Sequence, residues 1–389
     1  MRRFTAVSEL LRLTSELPDV VDSPSSLHRA VEQLAQASGP IGVDAERAGS
    51  YRYSQRAYLV QVYRRGAPVL LLDPVGIADF SELAEVLHQD EWVMQAAHND
   101  LDCLDEIGLR PDALFDTEIA AQLLGLEKVG LASLVESQLG YEMRKSHGQA
   151  DWSQRPLRRS WLEYAALDVC ALPDLEDALA ESLAEAGKTV WAEQEFTHQM
   201  RVRPATDPQQ RWRRTNSAGR LRNDAQRGAL RALWLHRDAL ARERDVAWHR
   251  VVRDQVMVEM AKKLPTSPAQ LAAVDKVPKA VVRDASRWLA VIAEGASQPI
   301  ASLERADGPP ARSLRAWEQR DPQAAARWTA LRAALTERAE ELHVWMQTLL
   351  APDIVADLAW SPAEDPGSRL AELGARPWQV EHTADLFEA

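Results

Sequence analysis

Ile41-Gly42-Val43-Asp44-Ala45-Glu46-Arg47 is the stretch on which the reading of this chain turns. It is short, rich in apolar and branched residues and bounded by turn residues, which marks a β-strand. Two carboxylates interrupt it. Side chains at i and i+2 of a strand point to one face, about 6.5 Å apart at the usual rise. Asp44 and Glu46 therefore present two negative charges from one surface at the end of an apolar strand. Such a pair is costly unless cations neutralise it. Hard oxygen ligands suit Mg²⁺ or Mn²⁺, with phosphate and water completing the shell. The alternative is an acid pair that faces a loop and bonds a neighbouring arginine such as Arg47.

Outward from this strand, Tyr58–Tyr63 and Val69–Asp73 read as two more strands, and Trp92–Ala97 as a fourth. Helical patterns are expected over Ser81–Gln89, Asn99–Ile107, Asp116–Leu126 and Leu131–Leu139, and a long one from about Arg159 to Ala186. Early antiparallel strands followed by alternating helix and strand predict an α/β domain with a mixed sheet flanked by helices.

Two further segments repeat the pattern of an acid set into apolar sequence. In Gln95–Leu104 a strand end runs into a helix start and places Asp100 in the first helical turn. Asp102 is expected to face solvent or cap that helix, and His98 either contacts a substrate or is structural. In Glu163–Val169, Tyr164 and Asp168 stand at i and i+4 on one helical face, with Ala165 and Ala166 small enough to let the helix approach the sheet. A buried Tyr–Asp hydrogen bond would account for that pair alone. Taken together, Asp44, Glu46, Asp100 and Asp168 make a cage for two divalent cations, the arrangement of two-metal phosphoryl chemistry. Tyrosine, with an ordinary pKa of about 10, would orient the attacking water rather than deprotonate it.

Composition sets bounds. The 389 residues, 46% hydrophobic and 27% charged, suit a globular chain of two or three domains. A net charge of −12 argues against coating nucleic acid non-specifically, without excluding local engagement of a strand end. Two cysteines make no disulfide framework. The start Met1-Arg2-Arg3-Phe4 lacks the apolar run of a signal peptide, and no window is long and apolar enough to span a membrane. A cytoplasmic monomer is expected.

Four blocks are expected along the chain: residues 1–200 as the α/β domain, 201–222 as a basic linker, 223–302 as a helical domain, and 303–389 as a second helical domain. The linker contains Arg211-Trp212-Arg213-Arg214 and Arg220-Leu221-Arg222. A charge run of this kind is usually solvated, with phosphate contact as the functional alternative. Asp307-Gly308-Pro309-Pro310 marks the break before the last block.

The three acidic segments resemble the exonuclease motifs of the Asp-Glu-Asp-Asp-Tyr superfamily, and within it the chain resembles ribonuclease D. Val43-Asp44-Ala45-Glu46 is similar to the first motif, Asn99-Asp100-Leu101 to the second, and Tyr164-Ala165-Ala166-Leu167-Asp168 to the third. Accessory stretches at Phe115-Asp116-Thr117, Lys145-Ser146, Asp151-Trp152-Ser153 and Arg155-Pro156-Leu157 are similar as well, so the resemblance covers about residues 20–195. It implies a ribonuclease H-like fold and a 3′→5′ exoribonuclease that trims RNA 3′ ends, including transfer RNA (tRNA) precursors, and releases nucleoside 5′-monophosphates. It further implies that Asp44, Glu46 and Asp168 bind the catalytic ion, that Asp44 bridges to the second, and that Asp100 holds the second. Residues 223–302 resemble the helicase-and-ribonuclease-D C-terminal (HRDC) domain, and 303–389 is weakly similar to a second copy; such domains would aid nucleic-acid binding. The competing readings are a DNA 3′→5′ exonuclease of the same superfamily and a catalytically idle RNA-binding protein.

Overall fold

A computed structural model describes residues 9–13, 15–143, 148–201, 208–300 and 314–388. The accessory pair Lys145-Ser146, part of the basic stretch (202–207), the Asp307–Pro310 break and the first residues lie outside the described residues. The chain divides into two compact units. Unit 1 comprises Met1–Ala48, Arg56–Arg203 and Glu318–Ala389, and unit 2 comprises Gly49–Gln55 and Pro204–Trp317.

Unit 1 is built on a six-stranded mixed sheet. Its strands are β2 (Val20–Val21), β3 (Ile41–Arg47), β4 (Ala57–Arg64), β5 (Leu70–Leu72), β6 (Trp92–Met94) and β7 (Leu114–Asp116), while β1 (Glu9–Leu10) and β8 (Tyr141–Glu142) form a separate parallel pair. The order is β2-β5-β4-β3-β6-β7. Strand β4 runs antiparallel to both β3 and β5, and β2, β6 and β7 join by parallel pairing. β3 is thus interior, hydrogen-bonded on both sides, and its neighbour β4 is buried along nearly its whole length. Continuous apolar runs such as Leu70-Leu71-Leu72 and Trp92-Val93-Met94 fit strands covered on both faces.

The helix Arg159–Cys170 lies across β3, β4 and β5. Its buried residues include Ala165, Ala166 and Val169, none of them leaving any exposed surface. Close approach is imposed at Gly42: a Cβ there would lie 2.7 Å from the Val169 carbonyl oxygen. The long helix expected from Arg159 to Ala186 is in fact two, Arg159–Cys170 and Leu172–Glu185. Pro173 is the reason, because it has no N–H to give the Val169 carbonyl four residues earlier, and it sits instead in the first turn of the second helix. The strand expected over Trp92–Ala97 stops at Met94, since Ala96 takes a left-handed conformation (φ +52°) before a short 3₁₀ turn. β2 and β7 are too short for sequence periodicity to mark.

The last block packs on the sheet-bearing part of unit 1. Trp378 is 1% exposed and stacks on Trp191 of the helix Thr189–Arg201, ring centroids 4.8 Å apart. Glu195 on that helix accepts from Arg376 Nε and from Trp378 Nε1, each at 2.7 Å. Lys188 Nζ donates to the Leu123 and His343 carbonyls. Cutting the chain near Gln199 would expose this aromatic and charged surface. The helix Pro322–Glu341 ends before His343, which adopts a positive φ ahead of the short helix Met346–Leu349.

Unit 2 is helical. Asn223 caps the helix Asp224–Arg244, which crosses Ala285–Ser297 where Gly228 and Gly295 meet; a Cβ on Gly228 would come 2.2 Å from the Gly295 carbonyl. Leu233, Trp234, Met257 and Trp288 fill its core. In the basic stretch, Arg213, Arg214, Arg220 and Arg222 are exposed, but Trp212 is 1% exposed within that core. An aromatic flanked by arginines carries no periodicity, so the sequence alone reads it as linker.

Replacing Gly42 by alanine should push the helix Arg159–Cys170 away from β3 and cost about 1–3 kcal/mol by overpacking. Chemical denaturation is the check, and an unchanged midpoint would show that the close approach is not a constraint.

Candidate metal and catalytic site

Asp44 and Glu46 leave β3 on the face covered by the helix Arg159–Cys170, which supplies Asp168 from its third turn. One carboxylate oxygen from each of Asp44, Glu46 and Asp168 lies within 4.8 Å of the others. Glu46 and Asp168 are buried, at 8% and 7% exposure, and Asp44 is half-buried. Tyr164, one turn before Asp168, hydrogen-bonds to it. Asp100 immediately precedes the helix Leu101–Asp105, makes no side-chain capping bond to it and is 6% exposed; Arg47 Nε lies 3.2 Å from its Oδ1. It stands outside the close trio, yet its charge bears on Glu46, and that of Asp44 bears on it. His98 and Asp102 are both exposed.

Asp116 builds the turn that delivers Asp100. Fully buried at the end of β7, it accepts from the backbone N–H of Ala96 (3.0 Å), Ala97 (2.7 Å) and Glu118 (2.9 Å), and from Gln199 Nε2 (2.8 Å). A single carboxylate thus caps the helix Thr117–Leu123 and pins the left-handed turn at Ala96. Arg155 has a comparable bracing role, its guanidinium bonding both Asp73 oxygens and the Tyr58 carbonyl.

Two further residues, Gln61 and Arg47, stand beside the acids. Gln61 is opposite Asp44 in the β3–β4 register and has no exposed surface, and neither atom of its amide is hydrogen-bonded among the described residues. Its signal was legible: one polar residue inside the apolar run Tyr58–Tyr63. Arg47 appeared only as the ordinary partner of an acid pair, and it is bonded to Asp100.

The electrostatics are those of crowded like charge. Burial, then the charges of Asp44, Asp168 and Asp100, pushes the Glu46 carboxyl up to about 10. Burial and the Asp44 charge raise Asp100 to about 8, and burial raises Asp44 to about 6. Asp168 lies well above the usual carboxylate range for the same two reasons. Burial and the Asp168 charge raise the Tyr164 phenol further from ionisation, so it acts as a neutral hydrogen-bonding group. Four carboxylates that resist ionising together, all oxygen donors, fit hard divalent cations as their counter-charge.

Along most of its length the chain is similar to known proteins. Residues 18–184 match the family model of a 3′-5′ exonuclease, 226–292 that of the HRDC domain, and 308–389 that of a 3′ to 5′ exonuclease C-terminal domain. A ribonuclease D of Gluconacetobacter diazotrophicus is 30% identical over 276 residues, covering 67% of each chain. The chain belongs to the ribonuclease D family. Several other ribonucleases D are matched over 59 to 66% of their own length, slightly under two thirds. Among solved structures, a protein from Bifidobacterium adolescentis superposes with a TM-score of 0.85 at 31% identity, covering 98% of this chain and 99% of that one. Escherichia coli RNase D, described as an exoribonuclease involved in structured RNA processing, superposes at 0.73 and 25% identity, covering 95% and 97%. The mixed sheet with flanking helices, followed by helical domains, is therefore the ribonuclease D architecture. No helix among the described residues is long and apolar enough to cross a membrane.

The raised carboxyls make stability depend on pH. They keep protons in the folded state that the unfolded chain releases near pH 4, so in EDTA stability should fall as pH rises from about 5 to about 9. Each retained proton costs about 1.4 kcal/mol per pH unit. Excess Mn²⁺ should remove most of that fall, because ligation releases the protons. Thermal unfolding at pH 5, 7 and 9 checks this; parallel pH profiles with and without Mn²⁺ would contradict it.

Proposed function

We propose that this chain is a metal-dependent 3′→5′ exoribonuclease that trims RNA 3′ ends, tRNA precursors among them, and releases nucleoside 5′-monophosphates. The observation that carries the reading is the convergence of Asp44, Glu46 and Asp168 from a strand and a helix to within 4.8 Å. Membership of the ribonuclease D family and the likeness to the Escherichia coli exoribonuclease support it.

Asp44, Glu46 and Asp168 would hold one divalent cation, Mg²⁺ or Mn²⁺, and Asp44 with Asp100 would serve a second. Such cations supply a more acidic water and neutralise charge on the transferring phosphoryl group. The chain's own residues do the positioning. Tyr164 keeps its proton and is held by Asp168, so its hydroxyl can orient a water for in-line attack without acting as a base. Asp116 fixes the turn that presents Asp100. The HRDC domain at 226–292 and the exposed arginines preceding it (Arg213, Arg214, Arg220, Arg222) offer cationic contacts to the RNA backbone, which a chain of net charge −12 must make locally. Cytoplasmic location and a monomeric state complete the proposal.

A 5′-labelled single-stranded RNA should shorten from its 3′ end in a ladder with Mg²⁺ or Mn²⁺, and not in EDTA. Asp44→Asn should reduce the rate by about a thousandfold or more, and Tyr164→Phe by about ten- to a hundredfold with Mn²⁺ affinity retained. Faster shortening of the matched DNA strand would favour the DNA exonuclease, and a substrate bound but never shortened would favour an idle binding protein.

A further inference from the structure

Arg47 stands where the register between β3 and β4 shifts, the extra residue lying on β4. Glu46 pairs with Leu59, but the next pairing is Arg47 with Ala57, so Tyr58 is passed over. A regular strand would send the Arg47 side chain to the face opposite Glu46. Irregularities of this kind re-aim side chains and gather beside active sites. Here the guanidinium reaches Asp100, with Nε 3.2 Å from Oδ1. Its charge is felt by Asp44 and Glu46 as well as by Asp100. The guanidinium thus brings a planar cation among four carboxylates.

The carboxylate it holds is the one outside the close trio of Asp44, Glu46 and Asp168. That division has a consequence for cation binding. An ion on the trio meets acids crowded against one another. An ion that uses Asp100 must displace a bonded arginine and accept its positive charge nearby. We infer that Arg47 is a positioning residue that latches Asp100 and makes the site take its two divalent cations unequally, the first on Asp44, Glu46 and Asp168, the second against Arg47. This inference rests on the metal-site reading above and specifies how that site is regulated. The latch keeps Asp100 ordered in the absence of the second ion, and the anionic phosphate of a bound strand offers the guanidinium another partner when that ion enters.

The test is Mn²⁺ titration calorimetry on the full chain, with Arg47→Gln, Arg47→Lys and Asp44→Asn beside it. The wild-type chain should bind one ion tightly and a second at least tenfold more weakly. Arg47→Gln should tighten the second ion by about tenfold or more and change the first much less. Arg47→Lys, which keeps the charge but not the fork of donors, should stay near wild type for the second ion. Thermal unfolding keeps folding in view: Arg47→Gln should melt lower in EDTA and recover with Mn²⁺. Equal affinities for two ions in wild type, or a second ion no tighter in Arg47→Gln, would overturn the latch while leaving the metal site intact. Absence of Mn²⁺ binding in wild type, with Asp44→Asn indistinguishable from it, would overturn the metal site and the latch together.

Discussion

Like charges held close in a poorly solvated notch are the constraint to which the rest of this fold answers. Burial raises the carboxyls of Asp44, Glu46, Asp100 and Asp168, and the charge of acidic neighbours raises those of Glu46, Asp100 and Asp168 further. Packing holds them there. The strand carrying Asp44 and Glu46 is interior to the sheet, paired with β4 on one side and β6 on the other. The helix carrying Asp168 and Tyr164 is drawn onto that strand through Gly42, Ala165 and Ala166. Apolar burial at about 25 cal/mol per Å² thus sustains an arrangement that electrostatics opposes. The opposition is useful, because a group of acids that resists ionising together is one that a divalent cation relieves.

Polar residues are placed where packing alone would leave the geometry loose. Asp116 accepts from Ala96 and Ala97 in the turn before Asp100 and from Glu118 in its own helix, and Arg155 ties a distant segment to Asp73 beside β5. Both are charged groups with several partners each, so each fixes two pieces of chain at once. Gln61 is the contrast: buried beside Asp44, it satisfies neither amide atom among the described residues. Buried polar groups of that kind are rare in native proteins and gather at functional sites.

The helical segments divide unequally between the two units. Glu318–Ala389, most of the last block, belongs to unit 1, sealed by the Trp191–Trp378 stack and by Glu195. The HRDC match lies in unit 2, which also takes in Gly49–Gln55 from the connection after β3. Within unit 2, Tyr53 from that connection meets Trp248 edge to face at 6.0 Å and donates to Asp238. A loop that leaves the strand bearing Asp44 and Glu46 is therefore part of the helical unit's own packing.

By itself the sequence determined the mixed α/β class, the strand bearing Asp44 and Glu46, and the helix pairing Tyr164 with Asp168, while Asp100, expected in a first helical turn, stands just before the helix Leu101–Asp105. These are local: periods of 2 and 3.6 and acids set against apolar runs depend on a few adjacent residues. Tertiary structure decided what depends on distant partners. It ended the strand at Met94, buried Trp212 inside a basic stretch, and joined Arg47 to Asp100 across 53 positions of chain, whereas the division of the long helix at Pro173 follows from that residue alone. Cross-strand register, a bulge and the burial of single residues leave no periodic trace, because the energies that set them arise only when remote segments come into contact.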